Sequence, residues 1–169
     1  GQWIHMYHLN PDALRLVLRT FREVFPETYM LAVDPGVDLL LIGVKGSYKP
    51  DLETIKMKIS NPEIAADIAA EPLNINSEYE LFSRLIFGPG QTDRFAGEGP
   101  VNTDALPMLS YMAPLSLFDN ASNLLNTQNI IKNWASNISI LGWKLDEEEI
   151  IKVKSAQENF LRKNFLEIY

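Results

Sequence analysis

The sequence predicts an α/β fold, on two observations. Residues 1–44 read strand, helix, strand, turn, strand, and the chain beyond Lys45 is mostly helical. Gln2-Trp3-Ile4-His5-Met6-Tyr7-His8-Leu9 is rich in aromatic and branched residues, the composition of a buried strand. Asn10 is placed to cap a helix, Pro11 suits its first turn, and Asp12 complements its positive end. Leu14, Val17, Leu18, Phe21 and Phe25 recur at helical spacing, so one face is apolar. Phe25-Pro26 marks the exit, because a residue before proline avoids the helical region. Residues 29–33 and 38–44 are apolar runs flanking Asp34-Pro35-Gly36-Val37. Pro-Gly favours the centre of a type II turn, so the pair is expected to be a hairpin.

Downstream, Asp51 caps a short helix carrying Leu52, Ile55 and Ile59, and Asn61-Pro62-Glu63 starts another that Pro72 ends. Ser77-Glu78-Tyr79-Glu80 has capping-box spacing, and its helix is expected to run through Leu85 and Ile86 to Gly88-Pro89. Residues 88–107 are the least regular. Their glycines do not make a phosphate loop, because no Gly-Lys-Ser/Thr comes after them and a helix rather than a strand precedes. Asn102, Thr103 and Asp104 have short polar side chains that set turns, and a structural turn is favoured over chemistry. Residues 116–169 read as a helical hairpin. Leu124, Ile131, Trp134, Ile138 and Leu141 form one stripe, ended by Gly142. Asp146-Glu147-Glu148-Glu149 opens the second helix, with Ile150, Val153, Phe160, Leu161 and Ile168 on its apolar face.

Composition excludes several classes. The net charge of −7 argues against nucleic-acid binding, which needs clustered Lys and Arg. The absence of cysteine rules out disulfides and thiolate metal sites and fits a reducing, cytoplasmic setting. No apolar run approaches the length of a membrane span. His5 and His8 are the only histidines, and at a separation of three they point to opposite faces of a strand. Asn137-Ile138-Ser139 matches a glycosylation sequon, a match common by chance. No nucleophile motif accompanies a Ser/His/Asp set. Paired carboxylates such as Asp34 and Asp38 are available, as in any acidic chain.

Two runs carry a resemblance. The first is Gln2-Trp3-Ile4-His5, the helix ending Phe21-Arg22-Glu23-Val24-Phe25-Pro26, and the hairpin; the second is Gly99-Pro100-Val101-Asn102-Thr103-Asp104 with Pro107 and Ala113-Pro114. Together, over residues 1–118, they resemble the C-terminal part of bacterial spermidine synthase-like proteins, the polyamine aminopropyltransferases. Ala105, Leu106 and Ser110 stand where that family usually has a second Asp, an Arg and a Glu. The resemblance implies the end of a Rossmann-like, methyltransferase-type sheet: a late parallel strand, a helix, and a closing antiparallel hairpin. It implies residues 1–48 as this closing part, 49–118 as a helical extension, and 119–169 as a helical appendage.

Family chemistry moves an aminopropyl group from decarboxylated S-adenosylmethionine, the co-substrate, to an amine such as putrescine. The glycine-rich nucleoside turn and the catalytic Asp lie upstream of the matched stretch, so no transfer by this chain alone is expected. Gln2 sits near a position lining the amine pocket, and Asp34 stands near the family's substrate-contacting Tyr. Both are therefore candidate polyamine-binding residues. The chain starts without Met and directly in a strand, as expected of a piece of a longer protein or a processed product. A strand taken from mid-sheet exposes an edge, which predicts a homo-oligomer or pairing with an upstream part. The competing expectation is a non-enzymatic module that docks a partner through its helical tail.

Overall fold

A computed structural model describes residues 1–34, 37–48, 50–71, 73–118, 121–133 and 141–162. Four strands, β1 (Gln2–His5), β2 (Glu27–Asp34), β3 (Asp38–Val44) and β4 (Leu85–Phe87), form one antiparallel sheet in the order β1-β3-β2-β4. The eight helices are α1 (Pro11–Val24), α2 (Leu52–Ile59), α3 (Pro62–Ala69), α4 (Glu78–Ser83), α5 (Pro89–Ala96), α6 (Met108–Leu115), α7 (Ser122–Asn133) and α8 (Glu147–Leu161), among the described residues. The class is α/β, as expected. Contacts divide the chain into two units: Gly1–Ser47 with Ile86–Ala135, and Tyr48–Leu85 with Ser136–Tyr169. These boundaries differ from those read off the sequence. Helix α7 belongs to the first unit and α8 to the second, where the sequence pattern paired them as a hairpin.

In the first unit, β3 is the middle strand. Trp3 pairs with Leu40 and Ile4 with Leu39 on one side, and Leu31 with Leu40 and Ala32 with Leu39 on the other. Pairing partners share a sheet face, so alternation sorts the residues. Ile4, Leu39, Leu41, Met30 and Ala32 are buried on the face that α1 covers. Gly43 marks how closely the helix approaches. A Cβ there would lie 2.5 Å from the Phe25 ring and 2.6 Å from the Phe21 ring. Helix α1 starts as expected, with the Asn10 side chain accepting from the Ala13 amide at 2.8 Å and Pro11 in the first turn. Its buried side is wider than the predicted stripe, because Ala13 and Leu16 are fully buried with Leu14 and Leu18.

The corner between β1 and α1 is held by distant residues. Asn10 Nδ2 donates to Ser116 Oγ at 2.9 Å. Asn126, fully buried on α7, donates to the carbonyls of Met6 and Leu9. The buried face of α7 is thus Asn126, Thr127 and Ile130, whereas Leu124 and Ile131 are half-buried; Trp134, Ile138 and the sequon fall outside the described residues.

Two expectations for the middle of the chain are corrected. Leu85 and Ile86 do not continue α4; with Phe87 they form β4, three buried residues beside β2. A short helix offers less than pairing the open edge of β2 and burying Phe87 against Phe95, rings 5.0 Å apart. Residues 89–96, placed in the irregular stretch, form α5, with Pro89 in its first turn and Thr92 Oγ1 donating back to the Gly88 carbonyl at 2.9 Å.

In the second unit, α4 packs on α8 around Phe82, Val153 and Phe160. Trp143 stacks edge-on to Phe82 at 4.3 Å and donates Nε1–H to the Pro50 carbonyl at 2.8 Å. The Asp51 and Asn61 caps form as expected. At α4 the box is half formed: Ser77 accepts from the Glu80 amide, but the Glu80 carboxylate accepts from the Asn76 amide, one residue further back. At α8 the box with Asp146 and Glu149 is complete. Glu149 also accepts from Lys56 Nζ at 2.7 Å, tying α8 to α2.

That hydrogen bond from Lys56 holds the Glu149 carboxyl below its ordinary range, and Glu149 raises Lys56 above the ordinary lysine range. A depressed carboxyl stabilises above its unfolded pKa and loses that contribution as pH falls through the folded value; the raised amine loses its contribution at strongly alkaline pH. Glu149→Gln keeps the capping geometry and removes the charge. It is expected to lower the melting temperature slightly at neutral pH, with the difference from wild type shrinking as pH falls below the ordinary carboxylate range, as thermal melts across pH will read. Gly43→Ala forces a methyl into the two phenylalanine rings, and chemical denaturation should show a loss of about 1–3 kcal/mol.

Candidate functional site

Side chains with chemical potential gather where β1 ends. His5 is its last residue and stands opposite Asp38, the first of β3, which stands opposite Asp34, the last of β2. His5 Nδ1 lies 2.8 Å from Asp38 Oδ1. The imidazole is half exposed and the carboxylate largely covered, with side-chain exposures of 46% and 14%. In the tautomer that donates Nδ1–H to Asp38, Nε2 is left as a hydrogen-bond acceptor. Rings flank the pair. Trp3 meets His5 edge-on at 4.6 Å, and Tyr7 lies 4.7 Å from His5 on its other side.

This pair was hidden in the sequence. Asp38 stood out only as one of many carboxylates, and His5 only as one of two histidines on opposite faces of a strand. The two are 33 residues apart, and only the ladder register brings them face to face. The amide of Met6 donates to the Val37 carbonyl at 2.7 Å, extending the pairing just past His5. The strand then ends: Tyr7 and His8 turn, and His8 takes a left-handed φ of 55°. The expected eight-residue strand is therefore half that length. The Tyr7 ring also neighbours His8, with centroids 5.7 Å apart, while His5 is committed to Asp38. Among the described residues no group of three His, Asp or Glu is spaced to hold a metal ion.

The two residues nominated for a polyamine are not brought together. Gln2 opens β1 opposite Leu41, is exposed, and donates its Nε2 to the neighbouring Trp3 carbonyl at 2.8 Å. Asp34 closes β2 at the other end of the ladder. Strand rise and spacing put the two backbones roughly 17 Å apart. Asp34 does join the end that carries Asp38 and His5.

The face of the sheet opposite α1 is covered at Tyr29, which pairs with Ile42 and is buried, and exposed toward β1. Trp3, Leu40 and Leu31 form one cross-strand row on it, and Ile42 lies in the next row toward the start of β1. Trp3 is 56% exposed and Ile42 39%. Strand β1 has no neighbour on its outer side among the described residues.

The Asn102-Thr103-Asp104 run is a turn with structural partners. Asn102 Oδ1 accepts from the Leu109 amide at 2.8 Å at the start of α6, and the Asn102 amide donates to Thr20 Oγ1 at 2.8 Å. Thr103 Oγ1 accepts from the Leu106 amide at 3.0 Å. Just before it, Arg19 donates to the carbonyls of Ala96 and Pro100, each at 2.8 Å; the stretch from Gly88 follows strand β4, not the helix expected there. Gly99, at φ 145°, lies so close that an added Cβ would be 3.2 Å from the Arg19 guanidinium carbon.

Comparisons of the chain with family profiles, with curated proteins and with solved structures find no match. Among the described residues no helix is long and apolar enough to cross a membrane.

Because the imidazole is half exposed, its pairing with Asp38 is expected to contribute little. A double-mutant cycle with His5→Ala and Asp38→Ala should give a coupling of at most about 1 kcal/mol in denaturation experiments.

Proposed function

We propose that this chain is the closing part of a spermidine synthase-like protein, a family that transfers an aminopropyl group from decarboxylated S-adenosylmethionine to a polyamine. One observation carries the reading: β3, the second arm of the hairpin, lies antiparallel against β1, while the outer edge of β1 is unpaired among the described residues. A strand in that position is built to continue a sheet. The exposure of Trp3 and Ile42 on the side away from α1 supports the same reading, since strands of a Rossmann-like sheet are covered on both faces. The strand, helix and hairpin order of residues 1–44 and the Asn-Thr-Asp turn support the reading.

In this reading the chain works in the cytoplasm as one portion of the active protein and does not transfer by itself. The upstream portion supplies the nucleoside-binding turn and the catalytic acid. What this portion contributes is the ligand end of β1 and β2. Ligands of open α/β sheets bind outside the carboxyl ends of parallel strands, and His5 and Asp34 occupy those ends. Carboxylates there suit a cationic amine better than Gln2 does, so Asp34 is the stronger of the two nominated contacts. Reading the frame upstream for a Gly-x-Gly strand-to-helix turn and an acidic segment tests the family directly.

A second reading, a non-enzymatic docking module, is favoured by a different observation. Tyr111 and Leu115, one helical turn apart on α6, are 73% and 77% exposed, and Phe118 beyond them is 91% exposed. Such a row marks a protein contact.

The proposed sheet edge has a measurable consequence for the isolated chain. Sedimentation at micromolar concentration is expected to show a dimer joined through β1, and Trp3→Lys to return it to monomer. A wild-type monomer across that range removes the edge from consideration. Titration calorimetry with putrescine and spermidine reads the amine contact. Heat that disappears in Asp34→Asn is the expected outcome, and no heat at about 1 mM amine ends the polyamine assignment.

A further inference from the structure

A cleft of about 540 Å³ opens within the first unit between α1, α5 and the start of α6. Its charge balance is opposite to that of the chain. Arg15, Arg19 and Arg94 line it against Asp12 and Glu98, in a protein of net charge −7. These cations are poorly neutralised. Arg15 reaches Asp12 only at 3.9 Å, and that carboxylate is 81% exposed. Arg19 spends its hydrogen bonds on two carbonyls, which fix the guanidinium without cancelling its charge. No carboxylate among the described residues pairs with Arg94.

The remaining wall is apolar and adaptable. Phe95 is buried with its ring 5.9 Å from the Arg15 guanidinium carbon, and Met108 and Met112 are half-buried on α6. Thioether side chains reshape readily around a guest. The backbone donors at the start of α6 are already used, by Asn102 Oδ1 and by the Leu106 and Pro107 carbonyls. Recognition therefore falls to the arginines, whose forked donors match a carboxylate or phosphate oxygen pair. We infer that this cleft binds a small amphipathic anion, with its acid group on Arg15 and Arg94 and its apolar body on Phe95, Met108 and Met112. The site is separate from the His5 and Asp38 end of the sheet and takes a ligand of opposite charge to a polyamine.

The test uses the full chain with methionine ε-methyl groups labelled by carbon-13. The probe is 3-phenylpropionate, with 3-phenylpropan-1-ol as its neutral counterpart and 3-phenylpropylamine as its cationic one. Titration is expected to shift Met108 and Met112 but not Met57, with a dissociation constant of about 1 mM or tighter for the acid. The alcohol should bind at least about tenfold more weakly and the amine more weakly still. Arg15→Gln with Arg94→Gln should weaken the acid about tenfold or more while the melting temperature holds, and Lys154→Gln should change nothing. Should the double variant lose stability, the alcohol comparison in wild type decides alone. Equal binding of acid and alcohol, shifts centred on Met57, or no shift at about 10 mM acid would overturn the assignment.

Discussion

Strand β3 is the member on which the first unit depends. It lies between β1 and β2, so its register with each sets which residues of all three face α1. A slip of one residue would turn Leu39 and Leu41 to the face away from α1 and bring Leu40 and Ile42 beneath the helix. Gly43 sharpens the choice. Only the register that places it under Phe21 and Phe25 lets α1 sit at this depth. One strand thereby fixes the covered core, the cross-strand row headed by Trp3, and the meeting of His5 with Asp38.

The polar contacts do a different job, tying chain segments that apolar burial alone would leave loosely placed. Asn126 satisfies two carbonyls just beyond β1, Ser116 accepts from the Asn10 cap, and Arg19 holds the Gly97–Pro100 loop. Each reaches across at least 77 residues of sequence. Their partners are backbone carbonyls or a capping side chain, groups that would otherwise lose hydrogen bonds on burial. The Asn102 turn belongs to this set, which gives its short polar residues a structural reason to be there.

Elements with a local cause were legible. Asn10-Pro11-Asp12 announces α1, Asp51 and Asn61 announce α2 and α3, and Asp146 with Glu149 announces α8; each signal lies within a few residues of the effect. The hairpin was legible because two apolar runs flank a turn pair. Leu85-Ile86-Phe87 was misread because a short apolar run has no period of its own, and only the waiting edge of β2 selects a strand. The part of Asn126 on α7 was not legible, because the value of this buried asparagine lies in two carbonyls more than a hundred residues earlier.

For this protein, then, sequence alone determined where α1, α2, α3, α4 and α8 begin and that a hairpin comes after α1. Only the tertiary structure decided that β3 lies inside the sheet, that His5 meets Asp38 while Gln2 and Asp34 stand apart, and that three arginines share one cleft. The division has a physical reason. Caps and turns are satisfied by neighbours in the chain, so their chemistry is written locally. Register, edge pairing and the gathering of like charges depend on groups brought together from 33 to more than 70 residues away, and those distances close only when the core packs.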